Sequence, residues 1–102
     1  MKESLESRYN IAFLEKGTEV LRAIAHPIRL TIIDLLFRND KLSVTEIYEA
    51  LSIEQAIASH HLRILKDKGV VSSRRDGKKS YYYLCSNDYH IIIEALETLF
   101  MN

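Results

Sequence analysis

The chain has 102 residues, 47% hydrophobic and 27% charged, which suits one small domain or one subunit of a small oligomer. Fourteen Lys/Arg balance fourteen Asp/Glu, so net charge selects no partner. A lone cysteine, Cys85, excludes an intrachain disulfide and a four-thiolate zinc site, and it fits a reducing compartment.

The opening MKESLESRYN carries charge where a secretion signal needs an apolar core. No apolar run approaches the roughly 20 residues of a membrane span. A cytoplasmic location without a membrane partner is therefore expected. No repeat or Pro/Gly/Ser-rich linker marks a boundary, so residues 1–102 read as one domain.

In LEKGTEVLRAIAHPIRLTIIDLLFRND, the residues Leu14, Val20, Leu21, Ile24, Leu30, Ile33, Leu36 and Phe37 recur at the three-and-four spacing of a helix. Pro27 is disfavoured inside a helix and welcome at its first turn. The run therefore splits into a helix ending near Ala25 and another from Pro27 to about Arg38. SVTE at 43–46 matches a capping box, with Ser43 and Glu46 exchanging backbone bonds at the head of a short helix from Val44 to Leu51. ALSIE then turns tightly into EQAIASHHLRILKDKG, giving two helices joined by three or four residues, a helix-turn-helix over 43–68.

On that second helix, Ile57, Ala58, His61, Leu62 and Leu65 share the expected buried side. Gln55, Ala56, Ser59, His60, Arg63 and Lys66 share the other. His60 and His61 are one residue apart, about 100° around the axis, so they cannot both face one metal ion. His60 is read as outward and His61 as a half-buried packing residue. The outward side combines small residues, which permit close approach, with groups that read base edges or grip phosphates.

After Gly69 the period changes. VVSSRRDGKKSYYYLC sets β-branched and aromatic residues on both sides of Asp76-Gly77, a strong hairpin signal over 69–85. With Asp76 and Gly77 as the two turn residues, Arg75 faces Lys78 and Arg74 faces Lys79. Tyr81, Tyr82 and Tyr83 are chiefly strand packing. Residues 54–84 hold seven Lys/Arg against three Asp/Glu, so cationic charge gathers here while the rest of the chain is net acidic.

From Ser86 the helical period returns, with Tyr89, Ile92, Ile93, Leu96, Leu99 and Phe100 on one wide apolar face. That face needs a cover, either the rest of the domain or a second copy. The expected fold is mainly α: a winged helix-turn-helix with five or six helices and a two-stranded wing. There is no Gly-rich phosphate loop, nucleophile motif or metal constellation, so no enzyme and no cofactor is expected.

AIAHPIRLTIIDLL, LSVTEIYEAL and SIEQAIASHHLRILKDKGVVSSRRDGKKSYYYL resemble the ArsR/SmtB family of winged-helix repressors over about residues 20–85. The resemblance implies a homodimer built from residues 1–25 and 87–102, bound to a twofold-symmetric operator on double-stranded DNA and released by an inducer it does not name. It directs Gln55, Ala56, Ser59, His60, Arg63 and Lys66 toward the major groove, and Arg74, Arg75, Lys78 and Lys79 toward phosphates or the minor groove. Where relatives place a small hydroxyl residue this chain has Glu54, whose carboxylate would repel a phosphate. Where metal-sensing relatives carry Cys-x-Cys it has Ser43 and Thr45. Asp88 and His90 match half of a second metal pattern, with Asp88 read as a helix cap and His90 as a dimer-surface residue. The competing reading is a winged-helix module for protein contacts alone.

Overall fold

The structure, a computed structural model, describes residues 9–101. Residues 1–8 and 102, parts of the expected dimerisation segments, lie outside the described residues.

Helix α1 spans Ile11–Ile24 and opens on Asn10, whose Oδ1 accepts from the Phe13 N–H at 2.7 Å. Helix α2, Pro27–Arg38, begins where the proline demands, capped by His26 Nδ1, which accepts from the Ile28 N–H at 3.0 Å. Strand β1, Leu42–Ser43, leads into α3, Val44–Leu51, with the capping box formed. Ser43 Oγ accepts from the Glu46 N–H at 3.2 Å, and Glu46 Oε1 from the Ser43 N–H at 2.9 Å. Ser52 in a left-handed conformation turns the chain into α4, Gln55–Asp67. Strands β2, Val71–Asp76, and β3, Lys79–Leu84, form the wing, and α5, Tyr89–Phe100, closes the chain.

The winged helix-turn-helix expected from the sequence is the observed fold, with two differences in its sheet. Two residues, Leu42 and Ser43, pair with Tyr82 and Tyr81, so the sheet has three strands in the order β1-β3-β2. A two-residue strand is too short to leave a period in the sequence. The hairpin is also shifted by one residue: Asp76 pairs with Lys79, Arg75 with Ser80 and Arg74 with Tyr81. Gly77 and Lys78 are therefore the turn. Only Gly77 of these two has positive φ, at 65°, which is the pattern of a type II′ turn, whereas Asp76 in the turn would have needed a positive φ of its own.

The core gathers Ile24 from α1, Ile32, Ile33 and Leu36 from α2, Ile47 from α3, Leu62 and Leu65 from α4, and Val70 and Val71 at the wing's start. Tyr82 and Leu84 pack against it from one sheet face, and Ile92 and Ile93 from α5. Ile57, expected inside, is 41% exposed. It lies roughly 90° around α4 from the centre of the buried residues Ala58, His61, Leu62 and Leu65, on the flank of the helix.

Candidate nucleic-acid interface

Because α4 is anchored by Ala58, His61, Leu62 and Leu65, its opposite side is fixed outward. Gln55, Ala56, Ser59, His60, Arg63 and Lys66 are all exposed. Lys66 does not stand alone: its Nζ donates to Ser73 Oγ at 2.7 Å, tying α4 to the wing. At the helix start Glu54 occupies the cap position without a side-chain cap bond.

Arg74, Arg75, Lys78 and Lys79 are exposed on the wing. The alternation of the strands divides them. Arg74 and Lys79 share the outer sheet face with Tyr81 and Tyr83, while Arg75 alternates to the face of Tyr82. The Arg74 guanidinium lies 6.0 Å from the Tyr83 ring centre. Lys41, just before β1, reaches across the same face, its Nζ 5.0 Å from the Tyr81 ring centre and 4.0 Å from Asp76 Oδ2. Lys41, Arg74, Arg75, Asp76, Tyr81 and Tyr83 line an open cleft of about 470 Å³ together with Asp40 and Leu84. Lys41 was invisible to sequence reasoning because its placement depends on the unforeseen strand β1.

Two clusters behind this surface set its geometry. His61, only 6% exposed, accepts at Nδ1 from Arg29 Nε–H at 3.1 Å, and Arg29 Nη1 donates to the Ala23 carbonyl at 3.0 Å. Burial first, then the neighbouring His26, Arg29 and His60, push the His61 pKa below its ordinary value. His90 is buried and not at the surface as expected. Its Nε2 is 2.8 Å from Asp34 Oδ1, its Nδ1 3.1 Å from Glu94 Oε1, and its ring stacks on Phe37. Asp88 occupies the cap position of α5 with helical backbone angles and no side-chain cap bond, and its own N–H donates to Ser86 Oγ at 3.1 Å. Among the described residues, no group of three or more His, Cys, Asp or Glu side chains is arranged to hold a metal. Among them also, no helix is long and apolar enough to cross a membrane.

Residues 26–73, which run from the cap of α2 into β2, match the family of bacterial regulatory proteins described as the arsR family. An HTH-type transcriptional regulator of Methanocaldococcus jannaschii is 36% identical over 85 residues, covering 83% of this chain and 96% of that one. The chain belongs to the ArsR family. Members are transcriptional regulators rather than enzymes. Two solved ArsR-like structures carry the same architecture. The transcriptional repressor PagR of Bacillus anthracis superposes with a TM-score of 0.77 at 33% identity, over 85% of this chain and 99% of that one. A homodimeric winged helix-turn-helix DNA-binding domain from Mycobacterium bovis does so with a TM-score of 0.77 at 29% identity, over 95% of this chain and 89% of that one.

Proposed function

We propose that this ArsR-family chain is a sequence-specific transcriptional repressor that binds a palindromic operator as a homodimer and is released by an inducer. The observation that carries the reading is the polar outer side of α4, held outward by a buried apolar side and flanked by a cationic hairpin. Gln55, Ser59, His60 and Arg63 supply groups that pair with base edges, and Ala56 lets the helix approach closely. Lys66, Arg74, Arg75, Lys78 and Lys79 supply charge to phosphates or the minor groove.

The homodimer is supported by exposed apolar side chains on the two terminal helices: Ile11, Phe13 and Leu21 on α1, Ile91, Leu96, Leu99 and Phe100 on α5. The Mycobacterium bovis relative is itself homodimeric. Twofold symmetry sets the two α4 helices about one turn of DNA apart.

The test is selection of bound duplexes from a random pool, followed by affinity measurements on the selected sequence. With about six to ten phosphate contacts in the dimer, affinity falls roughly a thousandfold or more between about 50 and 200 mM salt. Arg63→Ala weakens the selected duplex more than random DNA, whereas Lys78→Ala weakens both alike. Equal losses from both variants would remove the base-reading role, and no tight duplex at low salt would favour a module for protein contacts.

A further inference from the structure

The junction behind α4 has its protonation written in its donors. The Ile28 backbone N–H and the Arg29 Nε–H can only donate. The nitrogens they reach, His26 Nδ1 at 3.0 Å and His61 Nδ1 at 3.1 Å, must therefore both present a bare lone pair. Both imidazoles are neutral in this arrangement, with their proton on Nε2, and their ring centres are 4.4 Å apart. Arg29 meanwhile holds the Ala23 carbonyl in the last turn of α1. One guanidinium thus joins α1, its own helix α2, and α4.

We propose that Arg29, acting through the neutral His61 ring, is a positioning residue that fixes α4 against α1 and α2, and that acid releases this brace. The inference rests on the reading of α4 as the DNA-contacting helix. Without the brace, α4 keeps its apolar anchors but loses the polar bond that selects its rotation. Apparent DNA affinity then falls in proportion to the fraction of molecules still correctly oriented.

A proton added to His61 has little to welcome it. The groups facing the ring are Arg29 from α2, His26 ahead of α2, and His60 from α4, whose ring centre lies 5.1 Å away. The carboxylates of Glu19 and Asp67 line the neighbouring cleft together with Arg29, Arg22 and Lys68. A protonated His61 would lose its acceptor role and stand against a fixed guanidinium. Burial, the largest cause, and the Arg29 guanidinium beside the ring lower its pKa, so the brace holds above the ordinary imidazole value and is lost as pH falls through the lowered one.

The experiment measures affinity of the full chain for a selected duplex from about pH 7.5 to about pH 5 at constant salt, for wild type, Arg29→Met, Arg29→Lys and His61→Asn. His61→Asn keeps an acceptor facing Arg29 but does not titrate. Expected are a roughly tenfold or greater loss for Arg29→Met near pH 7.5 with helical circular dichroism retained, and no rescue by Arg29→Lys, whose single ammonium is no planar fork. Wild type weakens with acid, and His61→Asn binds like wild type near neutrality but loses the acid response. A folded Arg29→Met that binds like wild type, or an acid loss that persists in His61→Asn, would overturn the positioning role while leaving the reading of α4 intact. A wild type that binds no duplex overturns both. A readout without DNA is the ¹⁵N spectrum of His61: a proton on Nε2 supports the brace, and one on Nδ1 refutes it.

Discussion

Replacing His90 with Phe removes both ring nitrogens and keeps a flat ring of similar size. The imidazole lies parallel to Phe37, with centres 3.8 Å apart and planes within 6°, so the variant preserves that stack. A ring that faces a carboxylate oxygen from each nitrogen donates to both only when doubly protonated. His90 accordingly has a raised pKa: burial, the largest single influence, pushes it down, but the bonds and charges of Asp34 and Glu94 together outweigh burial. Asp34 is correspondingly lowered, first by its bond to His90, then by Arg38, against an opposing effect of burial.

A hydrogen bond between charged partners contributes about 1.5–3 kcal/mol. Asp34 is 34% exposed, which moves its bond to His90 toward the bottom of that range through solvent screening. The Glu94 contact, 60% exposed on that side, is an ordinary helix-surface pair, adding about 0.3–0.5 kcal/mol. Phe also escapes the cost of burying an imidazolium. A net loss of ~1–2 kcal/mol near pH 6, over an unfolding entropy of about 0.2 kcal/mol per kelvin for a 102-residue chain, lowers Tm by roughly 5–10 °C.

The sign of the pH dependence is the sharper test. A raised folded pKa means stability fully present below the ordinary imidazole value of about 6.5 and lost as pH rises through the raised value. The Tm gap between wild type and His90→Phe is therefore widest just below the ordinary imidazole value and closes as pH rises through the raised one. Asp34 acts oppositely: its lowered pKa gives stability that is lost as acid protonates it, so the gap also narrows well below about pH 4. The His61 brace is common to both proteins and cancels in the difference. The assay is thermal unfolding by circular dichroism at fixed protein concentration, since any dimer makes Tm concentration-dependent. A gap that stays constant or widens with rising pH would refute the imidazolium clamp.

Two further substitutions probe elements that position the interface. Ser43→Ala deletes half of the α3 capping box at a residue only 4% exposed, and costs about 1 kcal/mol in urea unfolding; an unchanged midpoint would mean that the box contributes nothing. Gly77→Ala meets no atom within 4 Å but keeps φ near 65°. Its cost is backbone strain alone, about 1–2 kcal/mol by the same assay. No cost would mean that residue 77 does not hold the left-handed backbone in solution, and would overturn the Gly77-Lys78 turn.

Local signals in the chain announced the elements and missed what depends on distant pairing. Pro27, the Ser43–Glu46 box and the three-and-four spacing placed the starts of α2 and α3 where they are found, because caps and periods act within one or two turns. The outward set on α4 was legible for the same reason. The hairpin register was not. Asp-Gly fits a type I′ turn on both residues and Gly-Lys a type II′ turn on the glycine alone; both registers keep the same residues on each sheet face and differ only in which residues pair across it, Val71 meeting Leu84 here. His90 was misread because its partner Asp34 is 56 residues away and no spacing rule reaches that far.

The adjacent histidines on α4 divide their work because successive helical residues point about 100° apart. His60 is outward beside Ser59 and Arg63, while His61 is inward against Arg29. His61 and His90 then set opposite demands: the first must be neutral to accept from Arg29, the second protonated to hold two carboxylates. Their pKa values are displaced in opposite directions from a common starting point of 6.5. The interval in which both are satisfied therefore includes that value, bounded on the acid side by loss of the α4 brace and on the alkaline side by loss of the α5 clamp. Each edge belongs to a separate residue. His61→Asn should move the acid edge and leave the alkaline one, and His90→Phe the reverse, because the two clusters hold different helices to α2 and share no side chain.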